Sequence, residues 1–198
     1  MTEQFQPELN LGANNLPYSV PIHLQFVHMT LGLFIIAIIF DIAGTLFPLE
    51  KPIFKFFGLT ALRSSLFTVG WYNLFAATVI TFFTVAAGFF ELFLATPPPG
   101  TSAWGLSAGT TMLIHGVAGV FILTAIVGMT LWRGLQRYRW RRSARREVQW
   151  SYLLVGIAML GILFIHGTLG AQLGDEFGIH NTAANLVRQG QNPNLVLK

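Results

Sequence analysis

The chain has 198 residues, 53% of them hydrophobic and only 10% charged, with a mean hydropathy of +0.58; soluble domains carry about 25% charged residues, so this composition calls for lipid as solvent. The absence of cysteine excludes a disulfide framework, thiolate metal sites and a Cys nucleophile. The net charge of +4 does not describe a nucleic-acid face, because seven of the nine arginines fall in one short run between Arg133 and Arg146.

Residues 1–20 hold acids, Pro and Asn with neither a basic n-region nor an apolar h-region, so no cleavable signal peptide is expected and the first span must direct its own insertion. A hydrocarbon core of about 30 Å takes roughly 20 apolar residues per helix, and four stretches meet that need, near residues 22–47, 67–95, 109–132 and 149–170. The first carries His23, His28 and Gly32 near its start, and Asp41 and Gly44 near its end. Pro48 and Pro52 read as its stop. The second ends on Glu91 and the breaker Pro97-Pro98-Pro99-Gly100; the third carries His115 and Gly119 and ends in the arginine run. The fourth carries His166 and leaves through the glycine-rich stretch 167–174, with His180 beyond it. The organisation expected is a short N-terminal tail over 1–20, an all-α integral membrane four-helix bundle over 21–172 and a C-terminal tail over 173–198.

The connection after the first span holds Lys51, Lys55 and Arg63; the connection after the third holds Arg133, Arg137, Arg139, Arg141, Arg142, Arg145 and Arg146. The connection after the second has no charge. The positive-inside rule then puts the two basic connections in the cytoplasm and both termini outside, in a periplasm or lumen. Trp71, Tyr72, Trp104, Trp132, Trp140 and Trp150 fall near span ends, where amphipathic rings favour the headgroup layer.

This orientation brings the intramembrane ionisable groups to one side. His28, His115 and His166 come out roughly 6–9 Å below the outer interface at 1.5 Å per residue, with His23 and Glu91 at its edge. Such groups face a bundle interior, a cavity or a partner. The first and third spans also share a pattern, His28-x-x-x-Gly32-x-Phe34-Ile35 and His115-x-x-x-Gly119-x-Phe121-Ile122. In each, the glycine lies one turn deeper on the face of the histidine, where a flat ligand or a helix can approach. Two helical hairpins related by an axis along the membrane normal would set His28 and His115 at equal depth across that axis. That arrangement could clamp a b-type haem between two imidazoles, cradled by Gly32 and Gly119. Purely structural histidines are the competing reading. A mixed nitrogen and oxygen metal site from His28, His115, His166 and Glu91, with His23 as a further ligand, and a proton or quinone function stand beside it. No serine nucleophile, phosphate loop, HExxH, dinucleotide fingerprint or paired acids are legible, so a stand-alone enzyme is not expected.

The segment His23-Leu-Gln-Phe-Val27-His28-Met-Thr-Leu-Gly32-Leu33 resembles the HPxxVHFPIGL start of the bacterial membrane domain-of-unknown-function family 2231. Ala86-Ala87-Gly88-Phe89-Phe90-Glu91, His115, and Gly167-x-Leu169-Gly170-Ala171-x-Leu173 are similar to that family's second-, third- and fourth-span motifs. Leu24 stands where the motif has Pro, and Asp175 and Phe177 where a Tyr and a His often follow the last of them. The resemblance covers roughly residues 20–180. It implies an accessory protein of a bacterial, including cyanobacterial, energy-converting membrane of inner or thylakoid type, docked on a larger electron-transfer complex, with haem b as the expected cofactor.

Overall fold

The computed structural model describes residues 10–56, 63–140 and 148–196. Four long helices, α1 (Ile22–Phe56), α2 (Arg63–Leu94), α3 (Ala108–Tyr138) and α4 (Trp150–Asp175), are followed by the short α5 (Thr182–Arg188) and α6 (Pro193–Val196). Each long helix packs on its neighbour in the chain and α4 returns to α1, so the four form an antiparallel ring with α1 and α3 on one diagonal. Among the described residues the only strand-like pairing is a single bridge from Thr101 to Ser107.

The all-α membrane bundle expected from hydropathy is the observed fold. Ile22–Phe47, Arg63–Leu94, Ala108–Tyr138 and Trp150–Asp175 are each long and apolar enough to cross a bilayer, yet only 28–33% of each most apolar window is buried within the bundle. The remainder, including Phe82, Phe83, Phe121 and Phe164, points outward. A helix of a soluble bundle shows a polar stripe opposite its core face; these helices are apolar all round, and acyl chains solvate what the core does not.

One core runs through the bundle on Phe34, Ile38, Leu74, Ile126, Met129 and Leu153. Close approach is set by small residues: a Cβ at Gly156 would stand 2.6 Å from Ile38 Cδ1. Hydroxyl pairs Thr30–Thr84 and Thr78–Thr130 bridge α1 to α2 and α2 to α3.

The end of the bundle opposite the termini departs from the sequence reading in two ways. Helix α1 does not stop at Pro48 and Pro52 but runs to Phe56. A proline at 48 has no N–H to offer the carbonyl four residues back, and Arg63 Nε donates to that Gly44 oxygen at 2.7 Å instead. Arg133, counted above among loop charges, lies inside α3 and is fully buried. Its Nε and Nη2 donate to Asp41 Oδ2 and Oδ1 at 2.9 and 3.0 Å, a bidentate pair across the α1–α3 diagonal. Hydropathy ends a span at its first charge; a charge that meets its counter-ion inside lets the helix continue. Gly70 makes the room, since a Cβ there would fall 2.6 Å from Asp41 Oδ1. The Phe67 ring lies against the guanidinium groups of both Arg63 and Arg133. Arg141, Arg142, Arg145, Arg146 and the Lys51 side chain lie outside the described residues.

Candidate functional site

At the end of the bundle that carries both termini, three imidazoles from three helices meet. His23 lies in the first turn of α1, His115 two turns into α3 and His166 in the last third of α4. The His115 and His166 rings stack in parallel, centroids 4.0 Å apart and planes 5° from each other. The His23 ring stands edge-on to His115 at 6.0 Å, across the α1–α3 diagonal.

Each ring lies against a glycine of a neighbouring helix. A Cβ at Gly88 of α2 would come within 2.8 Å of the His23 ring, one at Gly170 of α4 within 3.0 Å of His115 Cε1, and one at Gly119 of α3 within 3.8 Å of His166 Cε1. The first two positions could not carry a larger residue without moving the ring; the third is an ordinary contact. Glycine 119, expected to flank a cofactor, therefore floors His166, whereas nothing approaches within 4 Å of a Cβ at Gly32.

Glu91 organises the mouth. It is 5% exposed, and its Oε1 accepts the backbone N–H of His23 at 2.9 Å and the Tyr18 hydroxyl at 3.0 Å. A carboxylate of α2 thus takes one of the four N–H groups that the first turn of α1 leaves without a partner. His23 Nδ1 donates to the Thr84 carbonyl at 2.9 Å. The C-terminal segment closes over this end: the His180 ring, in a left-handed backbone conformation with φ 55°, bridges the carbonyls of Glu91 at 2.7 Å and Asn14 at 3.1 Å. Arg188 Nη2 donates to the Phe177 carbonyl, tying α5 to the end of α4.

Burial, and then the hydrogen bond and charge of Glu91, push the Tyr18 phenol up from 10.0 to about 12. A raised phenol favours the folded state below its ordinary pKa, and that contribution fades as pH climbs from 10 through about 12. In a titration followed at 295 nm, the component lost in Tyr18→Phe is expected at about pH 12; a component at the ordinary tyrosine value of about 10 would refute the contact.

The imidazoles wall a continuous cleft. Its deeper part, about 90 Å³, lies between Thr30, Thr84, Gly119 and Leu163; its outer part, about 300 Å³, extends past Glu91 and Gly170 to His180. His23, Gly88, His115 and His166 line both. His115 Nδ1 and His166 Nδ1 are buried and have no hydrogen-bond partner among the described residues. A buried polar atom left in that state costs about 1–3 kcal/mol, so two of them in stacked rings that line the cleft point to a ligand or ordered water there.

His28 is not part of this group. Its ring is exposed on the surface of α1 and donates from Nδ1 to the Leu24 carbonyl of its own helix at 2.7 Å. The reason is angular: His23 and His28 are five residues apart, which at 100° per residue turns the second far from the first. The expected clamp of haem between His28 and His115 is therefore not assembled. Of the remaining imidazoles, His115 and His166 lie in direct contact, with no slot for a planar group between their two rings. Of the expected mixed metal site, His115 and His166 come together while His28 lies apart. Among the described residues no group of three or more His, Asp or Glu side chains is arranged to hold a metal ion.

Sequence reasoning named four members of the site, His23, His115, His166 and Glu91, but ranked His23 below His28. It passed over the parts that seat them: Thr84, Gly88, Tyr18 and the return of His180. A usable signal lay in the spacing. His23 and Asp41 are eighteen residues apart on α1, as are His115 and Arg133 on α3. Eighteen residues make five full turns, which puts each histidine on the same face as its charged partner.

Residues 19–183 match the family described as Predicted membrane protein (DUF2231). The chain belongs to that family. No curated protein and no solved structure matches it. Membership of DUF2231 accords with the four apolar helices and says nothing of chemistry, so the site must be judged on its geometry.

Proposed function

We propose that this DUF2231 chain is a membrane-embedded binding subunit that holds a small lipid-soluble molecule in the imidazole cleft, rather than an enzyme with its own nucleophile. The observation that carries this reading is the pair of stacked imidazoles lining the cleft, His115 and His166, each with a buried Nδ1 that has no hydrogen-bond partner among the described residues. Apolar clefts with a few convergent polar groups are the usual form of small-molecule sites in helical bundles.

Its setting follows from charge and from the resemblance. Lys55, Arg63, Arg137 and Arg139 lie at the end opposite the termini, which by the positive-inside rule supports a cytoplasmic location for that end in a bacterial cell and a periplasmic or lumenal one for the cleft. An accessory role in an electron-transfer complex of that membrane fits a chain whose outward surface is largely Phe, Leu, Ile and Val.

The test is an organic extract of protein purified from its own membranes in mild detergent, read by mass spectrometry. A single small molecule near one equivalent is expected, together with its depletion in Gly170→Leu, whose side chain must displace the His115 ring. An extract holding only bulk lipid, the same for both proteins, refutes the reading in favour of a cofactor-free assembly subunit with structural histidines.

A further inference from the structure

We infer that the molecule held in the cleft is an alkyl-substituted quinone or its hydroquinone, with its ring among the imidazoles and its chain leaving between α2 and α3; this rests on the binding reading above and names its ligand class. Three features of the walls select that chemistry.

The first is charge. Neither part of the cleft is lined by Lys or Arg, while the acids Glu91 and Asp175 line its outer part. A carboxylate or phosphate head would meet no cation there and would be repelled at the mouth. The Glu91 Oε1 oxygen already accepts from His23 and Tyr18. The walls therefore disfavour an anionic head, and a neutral one needs no counter-charge there.

The second is the hydrogen-bonding inventory. A neutral imidazole offers one N–H and one lone pair. The His23 N–H is spent on the Thr84 carbonyl, so its Nε2 offers a lone pair, while His115 and His166 each keep an unpartnered Nδ1. A head that both donates and accepts through oxygens suits this set, and a hydroquinone and its quinone do so between them. The stacked pair of His115 and His166, which lines both parts of the cleft, suits contact with a planar ring rather than a branched head.

The third is a way out. An apolar groove of about 480 Å³ runs along the outward faces of α2 and α3, past Leu113, Val117, Val120 and Phe121. It shares Phe89 and Gly116 with the deeper part of the cleft, Met112 with the outer part, and Leu92 with both. A head in the cleft and a chain in the groove would be continuous through the gap at Gly116, where a Cβ would meet only Phe89 Cε1, at 3.8 Å. An amphipathic molecule could enter sideways from lipid by this route.

The experiment uses the full chain in detergent micelles and reads thermal unfolding with decylubiquinone, decanoate or decane added, since a ligand of the folded state raises Tm by mass action. Decylubiquinone is expected to raise Tm saturably and the other two to leave it unchanged. His166→Leu should weaken the apparent affinity for decylubiquinone about tenfold, the worth of one lost hydrogen bond in a buried site. Val117→Phe, in the groove but not on the cleft, should weaken it similarly by filling the groove, yet leave binding of a quinone without the decyl chain intact. Val117 is exposed, so a fall in binding there is not a fall in folding. Decanoate acting as strongly as decylubiquinone overturns the ligand class. A quinone effect that persists undiminished in both variants overturns the site. If the organic extract yields a molecule of another class, this inference fails alone; if it also yields nothing specific, the binding reading fails with it.

Discussion

Replacing Asp41 by alanine is expected to destabilise the protein by about 3–5 kcal/mol, the usual cost of stranding one member of a buried ion pair. Both side chains are 0% exposed, and the two hydrogen bonds between them run at 2.9 and 3.0 Å. Arg133 would keep its contact with the Phe67 carbonyl at 3.3 Å and the face of the Phe67 ring. For a chain of this size, each kcal/mol moves Tm by about 2–4 °C, so the loss should be plain in detergent-solubilised protein. The double variant Asp41→Leu with Arg133→Met should recover most of it, because an apolar pair of similar volume avoids the desolvation that the charges suffer. Leucine at 41 must still fit beside Gly70, so recovery tests packing as well as charge. A single variant costing under about 1 kcal/mol, the worth of an exposed pair, would show that water reaches the site. Because this pair lies five helical turns, or roughly 27 Å, from the imidazoles, ligand retention in the cleft should survive both changes.

How much of this could be read from the sequence depends on which physical signal each feature leaves. Four spans are written in hydropathy, since nearly every residue between Ile22 and Phe47, or between Trp150 and Asp175, must suit lipid or a lipid-like core. That His23, His115, His166 and Glu91 lie near one end of the bundle follows from depth alone, at 1.5 Å per residue. Rotation about the helix axis is harder to read. A span that is apolar all round gives no polar face from which to set its angle, so the repeated His-x-x-x-Gly pattern drew attention to His28, on the wrong side of α1, and away from His23. Arg133 was misplaced for a related reason: its partner Asp41 sits ninety-two residues earlier in the chain, and hydropathy has no means of pairing them. The return of His180 onto Glu91 and Asn14 is a long-range contact made by backbone carbonyls, which no side-chain motif announces. Gly88 enters the sequence reading only within a family pattern, and Gly170 there and in the glycine-rich exit of the fourth span; their purpose shows once the rings they face are placed.

The second large effect should come from Glu91. Its Oε1 holds the first turn of α1 through the His23 N–H and the segment before it through the Tyr18 hydroxyl, and hydrogen bonds to a charged group are worth about 1.5–3 kcal/mol in such sites. Glu91→Ala removes the acceptor of both and is expected to lower stability by roughly that amount for each bond, less what water recovers at the partly buried phenol. The backbone carbonyl of residue 91 survives the change, so the His180 contact should persist, and the damage should concentrate on the start of α1. Two readouts separate this from a general loosening. The Tyr18 component of the alkaline titration should move back from about 12 toward, but not to, its ordinary value of 10.0, because burial, the larger cause of its rise, remains while the Glu91 hydrogen bond and charge are gone. Retention of the cleft ligand should also fall, since His23 then loses its backbone anchor and keeps the ring hydrogen bond to the Thr84 carbonyl. Glu91→Gln keeps an oxygen able to accept from both donors and should fall between the two. If alanine lowers Tm while the Tyr18 titration and ligand retention stay where they were, Glu91 fills space at the helix end and does not position the site.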